Sequence, residues 1–388
     1  MRSSYREEDV KILLKDITGL VKPQPAWERE RLIQSGKHYC EMLPVEYVPT
    51  RQYMQAYEDA LEHFAASTAQ AVAELAGKII EERGTQTVLV SLARAGIPAG
   101  ILLKRYLKWN AGIELPHYAV SIIRGRGIDH NAMKYLLKKY QPGQLLFVDG
   151  WIGKGAILRE LEKCMEDYPG VSPQLAVLAD PAGVTQLCGT HEDILIPSSC
   201  LNCTVSGLIS RTFLRSGIIG ENDFHGAVYY EELRQADLSY AFIEAVQQHF
   251  VKQMPGAKKL RQDTREKKQN AASEAMACSG KEGAGDSGET CATADVTEAK
   301  ACSGMDEVRD IAGVYGISDL NFIKPGIGET TRVLLRRVPW KVLIAQKHQD
   351  DRALKHILRL AEEKGVPVEV YPLQHYKCCG IIRKLSDV

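Results

Sequence analysis

Asp149 stands at the end of a short apolar run, residues 145–148, and glycines follow it at positions 150, 153 and 155. A carboxylate at a strand end can hold hydroxyls. A glycine loop that opens onto a helix can hold an anion, because free N–H groups and the helix dipole meet there. The segment LLFVDGWIGKGA (145–156) therefore suits a sugar phosphate, although glycines at such βα turns also serve close packing alone. A second constellation lies downstream. Cys203 and His225 supply the thiol and imidazole that nucleophilic hydrolysis requires. Around them Ser206, Ser210, Arg211, Thr212 and Tyr229 make a polar stretch, residues 197–245, that reads as a hood rather than as core.

Strands and helices must place these groups. The pattern predicts a helix over 53–83 and strands over 87–92, 117–123, 145–148, 175–178 and 194–196. Alternation of this kind argues for a parallel sheet covered on both faces, with ligands at the carboxyl ends of its strands. Three polar, glycine-containing loops fall there: 91–96, 124–129 and 149–155. Ahead of them, residues 9–20 read as an amphipathic helix with Val10, Leu13, Leu14 and Ile17 on one side, broken by Pro23 and Pro25. An arm over 27–49, with His38, Tyr39, Glu41 and Glu46, reads as a cover over the main domain or as a cap that supplies substrate contacts.

The expected domains are 1–254 (with the arm over 1–50), a disordered linker over 255–308 that is nearly free of large apolar groups, and a small α/β domain over 309–388. That last domain carries 14 Lys/Arg against 9 Asp/Glu, an excess of five that is compatible with RNA. The whole chain of 388 residues is neutral, with 49 basic and 49 acidic side chains, so no global polyanion-binding field is implied. No apolar run approaches a membrane span, and the charged N-terminus lacks a signal-peptide core, so the expected location is cytoplasmic, without a membrane partner. The ten cysteines are expected as thiols there, and Cys200/Cys203 lacks the second CxxC that a structural zinc site needs.

The stretches IQSGKHYCEMLP (33–44), SLARAGIPAG (91–100), SIIRGRGID (121–129), FVDGWIGKGAI (147–157), CTVSGLISRT (203–212) and FHGAVYY (224–230) together resemble a phosphoribosyltransferase-like family found beside bacterial tellurite-resistance (Ter) stress genes. The resemblance implies a type I phosphoribosyltransferase-like parallel sheet with a hood. It also implies transfer from phosphoribosyl pyrophosphate (PRPP), with Mg²⁺, to a base or base-like acceptor in a stress response. On that resemblance Asp149 holds the ribose hydroxyls, directly or through Mg²⁺. Gly153, Lys154, Gly155 and Ala156 cradle the 5′-phosphate, and Ser91, Arg94 and Gly96 fall in the pyrophosphate loop. Arg124 and Arg126 lie on a mobile catalytic loop, and Cys203, Ser206, Ser210, Arg211, Thr212 and His225 lie in the acceptor hood. The family's second acid is Gly150 here, which opens the alternative of an inactive sugar-phosphate sensor. A cysteine-protease label is also attached to such proteins, with Cys203 and His225 as the pair it would use. GIGETTRVLLRR (326–337) with the later VPVEVY (366–371) resembles Pelota/L7Ae-type RNA-binding domains. That resemblance implies that Gly326, Gly328, Glu329 and Arg332 grip RNA. Other Ter-type stress proteins are expected partners.

Overall fold

Short, aliphatic, fully buried runs make the central strands. The computed structural model describes residues 1–252 and 304–385. In chain order, strands β1 (Lys11–Ile12) and β2 (Lys15–Asp16) precede helix α1 (Ala26–Gln34) and the long α2 (Arg51–Arg83). Then come β3 (Val88–Leu92), α3 (Gly96–Ala111), β4 (His117–Val120), β5 (Ile122–Ile123), β6 (Gly127–Ile128), α4 (His130–Leu137), β7 (Leu145–Trp151) and α5 (Ala156–Met165). β8 (Leu175–Ala179), β9 (Cys188–Thr190), β10 (Gly226–Ala227) and α6 (Ser239–Gln247) complete the first lobe. The second lobe comprises α7 (Gly304–Val314), β11 (Ile323–Pro325), α8 (Ile327–Arg336), β12 (Pro339–Ala345), α9 (Lys355–Glu363), β13 (Val368–Tyr371) and β14 (Cys378–Ile382). Most of the linker expected over 255–308 lies outside the described residues, while residues 304–308 open α7.

The first lobe is a six-stranded parallel sheet in the order β1-β4-β3-β7-β8-β9. Val72, Leu75, Ile79, Ile101, Leu102 and Phe242 cover one face, against Leu89, Leu146 and Leu178. Met133, Leu136 and Leu161 cover the other, against Val90, Phe147 and Val177. Each such aliphatic side chain, fully buried, contributes about 1.5–3 kcal/mol. α2 starts where Thr50 Oγ1 accepts the Tyr53 N–H and ends at Gly84, whose φ of 74° suits a glycine stop. α3 lies so close to the sheet that a Cβ on Gly100 would sit 2.3 Å from both Ser91 Oγ and His117 Nε2.

Three expectations change. Residues 9–20 form β1 and β2 instead of a helix, because Lys11 and Ile12 pair with Tyr118 and Ala119, and Lys15 and Asp16 pair with Gly226 and Ala227. The outer strand is Cys188–Thr190 rather than 194–196; Gly189 lies against the Ala71 backbone of α2, with room for no side chain. β7 runs on to Trp151, pairing it with Ala179, so Asp149 lies within the strand and not at its end.

The second lobe has a four-stranded mixed sheet, β11-β14-β12-β13. Its helices share a core with the first lobe: Ile327, Leu334, Ile357 and Leu360 cluster with Tyr53 and Tyr57 of α2. Asp193 of the first lobe accepts the Ile327 N–H at 3.0 Å and the Lys377 N–H at 2.9 Å. Tyr376 Oη donates to Gly153 O at 2.8 Å.

Candidate active site

A cavity of about 300 Å³ lies where β7, α5, the arm and the hood meet α8. Its walls carry Arg29, Arg124, Lys154, Arg211, Lys324, Arg332, Arg336 and Arg337, against only Asp149 and Glu329 as acids. Burial pushes the Lys154 ammonium down to about 8 and that of Lys324 to about 7.

The arm positions a thiol beside this cavity. Residues Tyr39–Glu41 form a 3₁₀ turn capped by His38, whose Nδ1 accepts the Cys40 N–H at 3.3 Å. The same Nδ1 lies 2.9 Å from Cys40 Sγ. His38 Nε2 is 3.1 Å from the Arg124 carbonyl, which can only accept, so Nε2 carries the proton and Nδ1 presents a lone pair to the thiol. Burial raises the Cys40 thiol and lowers the His38 imidazole, so both are neutral at rest. Arg126 and Arg211 pull the thiol the other way, toward ionisation. Tyr39, next in the chain, stacks on His38 with ring centroids 4.6 Å apart and carries the Arg211 guanidinium 4.4 Å above its own ring.

The other expected residues are placed as follows. Ser91 Oγ is turned inward, donating to Gly96 O at 2.9 Å and meeting His117 Nε2 at 2.7 Å. Arg94 is buried, paired with Glu46 at 3.3 Å and donating to Ile209 O at 2.6 Å. Gly96 abuts the Val148 carbonyl, where a Cβ would approach to 2.3 Å. Arg124 reaches Asn321 of the second lobe at 2.8 Å, and Arg126 pairs with Glu41 at 3.2 Å. The loop 153–156 is covered by the second lobe. Lys154 Nζ donates to the carbonyls of Leu320 and Ile323, Gly153 touches the Glu329 side chain, and Gly155, with φ 75°, turns the chain into α5 at Ala156.

In the hood, Ser206 Oγ donates to Asn202 O, Ser210 Oγ donates to Arg211 O, and Thr212 is buried. Cys203 and His225 have separate surroundings. Burial and the Glu46 carboxylate push the Cys203 thiol up to about 12, while His225 Nδ1 meets Ser121 Oγ at 2.8 Å and the His225 backbone N–H donates to Asp129 Oδ2. Gly326, Gly328, Glu329 and Arg332 all face the first lobe: Arg332 pairs with Glu329 at 2.6 Å and lies 4.3 Å over the Trp151 ring. The sequence reading missed the His38–Cys40 pair as well as Arg29, Arg336 and Arg337. The His-x-Cys spacing in the arm was the available signal for the pair.

The residues at Asp149 do not fit Mg²⁺. Its Oδ1 accepts the Gly150 N–H at 2.7 Å, and Arg332 is the cation beside it. Among the described residues no group of three or more His, Cys, Asp or Glu could hold a metal ion. Burial pushes Asp149 up to about 6, against an ordinary value of 3.8. The unfolded chain therefore binds fewer protons than the folded one between those values, and stability falls as pH rises through 6. Asp149→Asn fixes the uncharged form. It is expected to match the parent's Tm near pH 4 and to exceed it at pH 7. Thermal melts at the two pH values check this, and an equal offset at both would defeat it.

A buried thiol facing an imidazole lone pair, in a parallel α/β lobe joined to a small cationic α/β lobe, places the protein among two-lobed chains with a candidate thiol centre. Comparison with known proteins narrows this. The family model described as tellurite-like stress resistance cysteine protease StiP matches residues 3–247, and the PELOTA RNA binding domain matches residues 302–384. A curated relative, "Cysteine protease StiP" of Acinetobacter baylyi, is 34% identical over 398 residues, covering 99% of this chain and 94% of its own length. The chain belongs to the tellurite-like stress resistance cysteine protease StiP family and carries a C-terminal Pelota-type domain. The expectation of a PRPP- and magnesium-dependent phosphoribosyltransferase is thereby corrected: family and relative are named for cysteine-protease chemistry, and neither supports PRPP or an acceptor base as a partner. Among the described residues no helix is long and apolar enough to cross a membrane.

Proposed function

We propose that the chain is a thiol hydrolase of stress resistance, cleaving peptide bonds with Cys40 as nucleophile and His38 as general base. The observation that carries this reading is the 2.9 Å approach of His38 Nδ1 to Cys40 Sγ, with the tautomer fixed by the Arg124 carbonyl. The naming of the A. baylyi relative supports it. The thiol proton passes to Nδ1 as Sγ attacks the scissile carbonyl carbon. The tetrahedral oxyanion collapses, the C–N bond breaks, and Nδ1–H protonates the leaving amine. Water, deprotonated by the same nitrogen, then hydrolyses the thioester. The Arg124 carbonyl takes the place of an orienting carboxylate. Cys40 is 1% exposed and lies under Leu214, whose carbonyl is 3.4 Å from Sγ, so substrate enters when the hood segment carrying Leu214 moves aside.

Two other thiols compete for the role. Cys203 forms no hydrogen bond to an imidazole among the described residues. Cys188 lies against His191, but both ring nitrogens stand at similar distances from its sulfur, 3.4 and 3.7 Å, so neither lone pair is aimed at it. The test is proteolysis of labelled casein by the reduced full chain, followed by iodoacetamide block and mass-spectrometric mapping. Loss of activity is expected to track alkylation of Cys40. Activity surviving complete alkylation there would overturn the assignment.

The Pelota-type match and the charge excess of residues 309–388 support RNA binding by the second lobe. Gly326, Gly328, Glu329 and Arg332 are packed against the first lobe, so RNA engages them only when the lobes part.

A further inference from the structure

The carboxylates around the cavity do not suffice for its arginines. Glu30 is taken by Arg337 in a two-pronged pair at 2.5 and 2.8 Å, Glu46 by Arg94, and Glu329 by Arg332. Arg29, Arg211 and Arg336 remain without a carboxylate partner among the described residues. Arg29 is the sharpest case. It is 1% exposed, its Nε and Nη2 have no hydrogen-bond partner, and its Nη1 reaches only the Arg336 carbonyl at 3.4 Å. Arg336 Nε donates to the amide oxygen of Asn202, and Arg211 rests on the Tyr39 ring. Burial pushes Arg29 down to about 9 and Arg211 to about 10.

Three guanidiniums from α1, the hood and α8 thus converge on one cavity without a carboxylate partner among the described residues, and the buried Arg29 leaves Nε and Nη2 unmet. A buried charge without a partner is costly, and a planar guanidinium is matched to the two oxygens of a carboxylate. The same cavity wall includes Tyr39, the residue before Cys40. We propose that Arg29, Arg211 and Arg336 form the specificity pocket of the hydrolase, and that it takes an acidic segment of a polypeptide substrate through two or more Asp or Glu side chains. This rests on the thiol-hydrolase reading for its place in cleavage, and on the unmet donors of Arg29 and the carboxylate-free guanidiniums of Arg211 and Arg336 for binding.

The test separates the two. A fluorescein-labelled peptide with three consecutive glutamates, and its glutamine counterpart, are titrated against full-length Cys40→Ala protein. The acidic peptide is expected to bind at least tenfold more tightly, and added Arg29→Met is expected to remove most of that ratio. Arg29→Met also removes a buried unpaired charge, so its Tm is expected to hold or rise; a structural arginine would give a fall. Equal affinity for the two peptides overturns the proposal. So does a Tm rise with inorganic pyrophosphate when the acidic peptide does not bind, since the pocket would then serve a small phosphorylated anion. Selective acidic binding in Cys40→Ala, with the peptide left intact by the parent protein, would retain the pocket and defeat the hydrolase reading.

Discussion

Cys40→Ala is expected to lower kcat/KM for peptide hydrolysis by roughly 10⁴-fold or more, as loss of a thiol or hydroxyl nucleophile does elsewhere. His38→Ala is expected to cost nearly as much, because the Cys40 thiol is raised by burial and has no other imidazole to take its proton among the described residues. The double variant is expected to be no worse than either single one, since the two groups act as a unit. Cys203→Ala and Cys188→Ala are expected to retain activity per folded molecule. Both are core residues, so any effect is expected on Tm instead. Steady-state kinetics on the four single variants checks the set. A Cys203→Ala enzyme that is inactive but folded, beside an active Cys40→Ala enzyme, would move the chemistry to the hood.

Gly328→Val is the second large effect. Gly328 is the second residue of α8, and a Cβ there would lie 2.2 Å from Cε2 of Trp151 and 2.4 Å from its Nε1. The indole carries the Arg332 guanidinium 4.3 Å over its ring, so moving it aside disturbs that contact. Overpacking of this kind costs about 1–3 kcal/mol, and here the cost falls on the contact between lobes. The variant is expected to melt several degrees lower and to be cut faster by trypsin near Lys324 and Arg332. Trp151→Ala is expected to restore much of the loss in the double variant, a coupling that a thermodynamic cycle measures. Unchanged melting in Gly328→Val would show that the lobes are not packed in this way.

The sheet was legible where burial on both faces leaves a continuous apolar run, as at Leu89–Val90 and Leu145–Val148. The segment 9–20 misled because Val10, Leu13, Leu14 and Ile17 satisfy a helical period, while tertiary pairing with β4 and β10 outweighs it. The glycine loop 153–156 was recognised as a turn into a helix, but which surface would cover it is a matter of lobe packing that no local pattern records. The same holds for Gly326 and Gly328. The His38–Cys40 pair depends on a 3₁₀ turn and on a carbonyl 86 residues beyond His38, at Arg124, and neither is visible in spacing alone.

Asp193 gives the packing of the two lobes a further meaning. A helix ordinarily finds the acceptor for its first free N–H groups nearby in its own sequence. α8 takes its acceptor from a loop more than a hundred residues upstream, in the other lobe, and the same carboxylate holds the Lys377 N–H just before β14. The second lobe is therefore incomplete as an independent folding unit: cut free, it would expose a buried N–H and the apolar face that Tyr53 and Tyr57 cover. Heat should melt both lobes in one calorimetric transition. Evolution can then retune neither lobe's stability without shifting the other's.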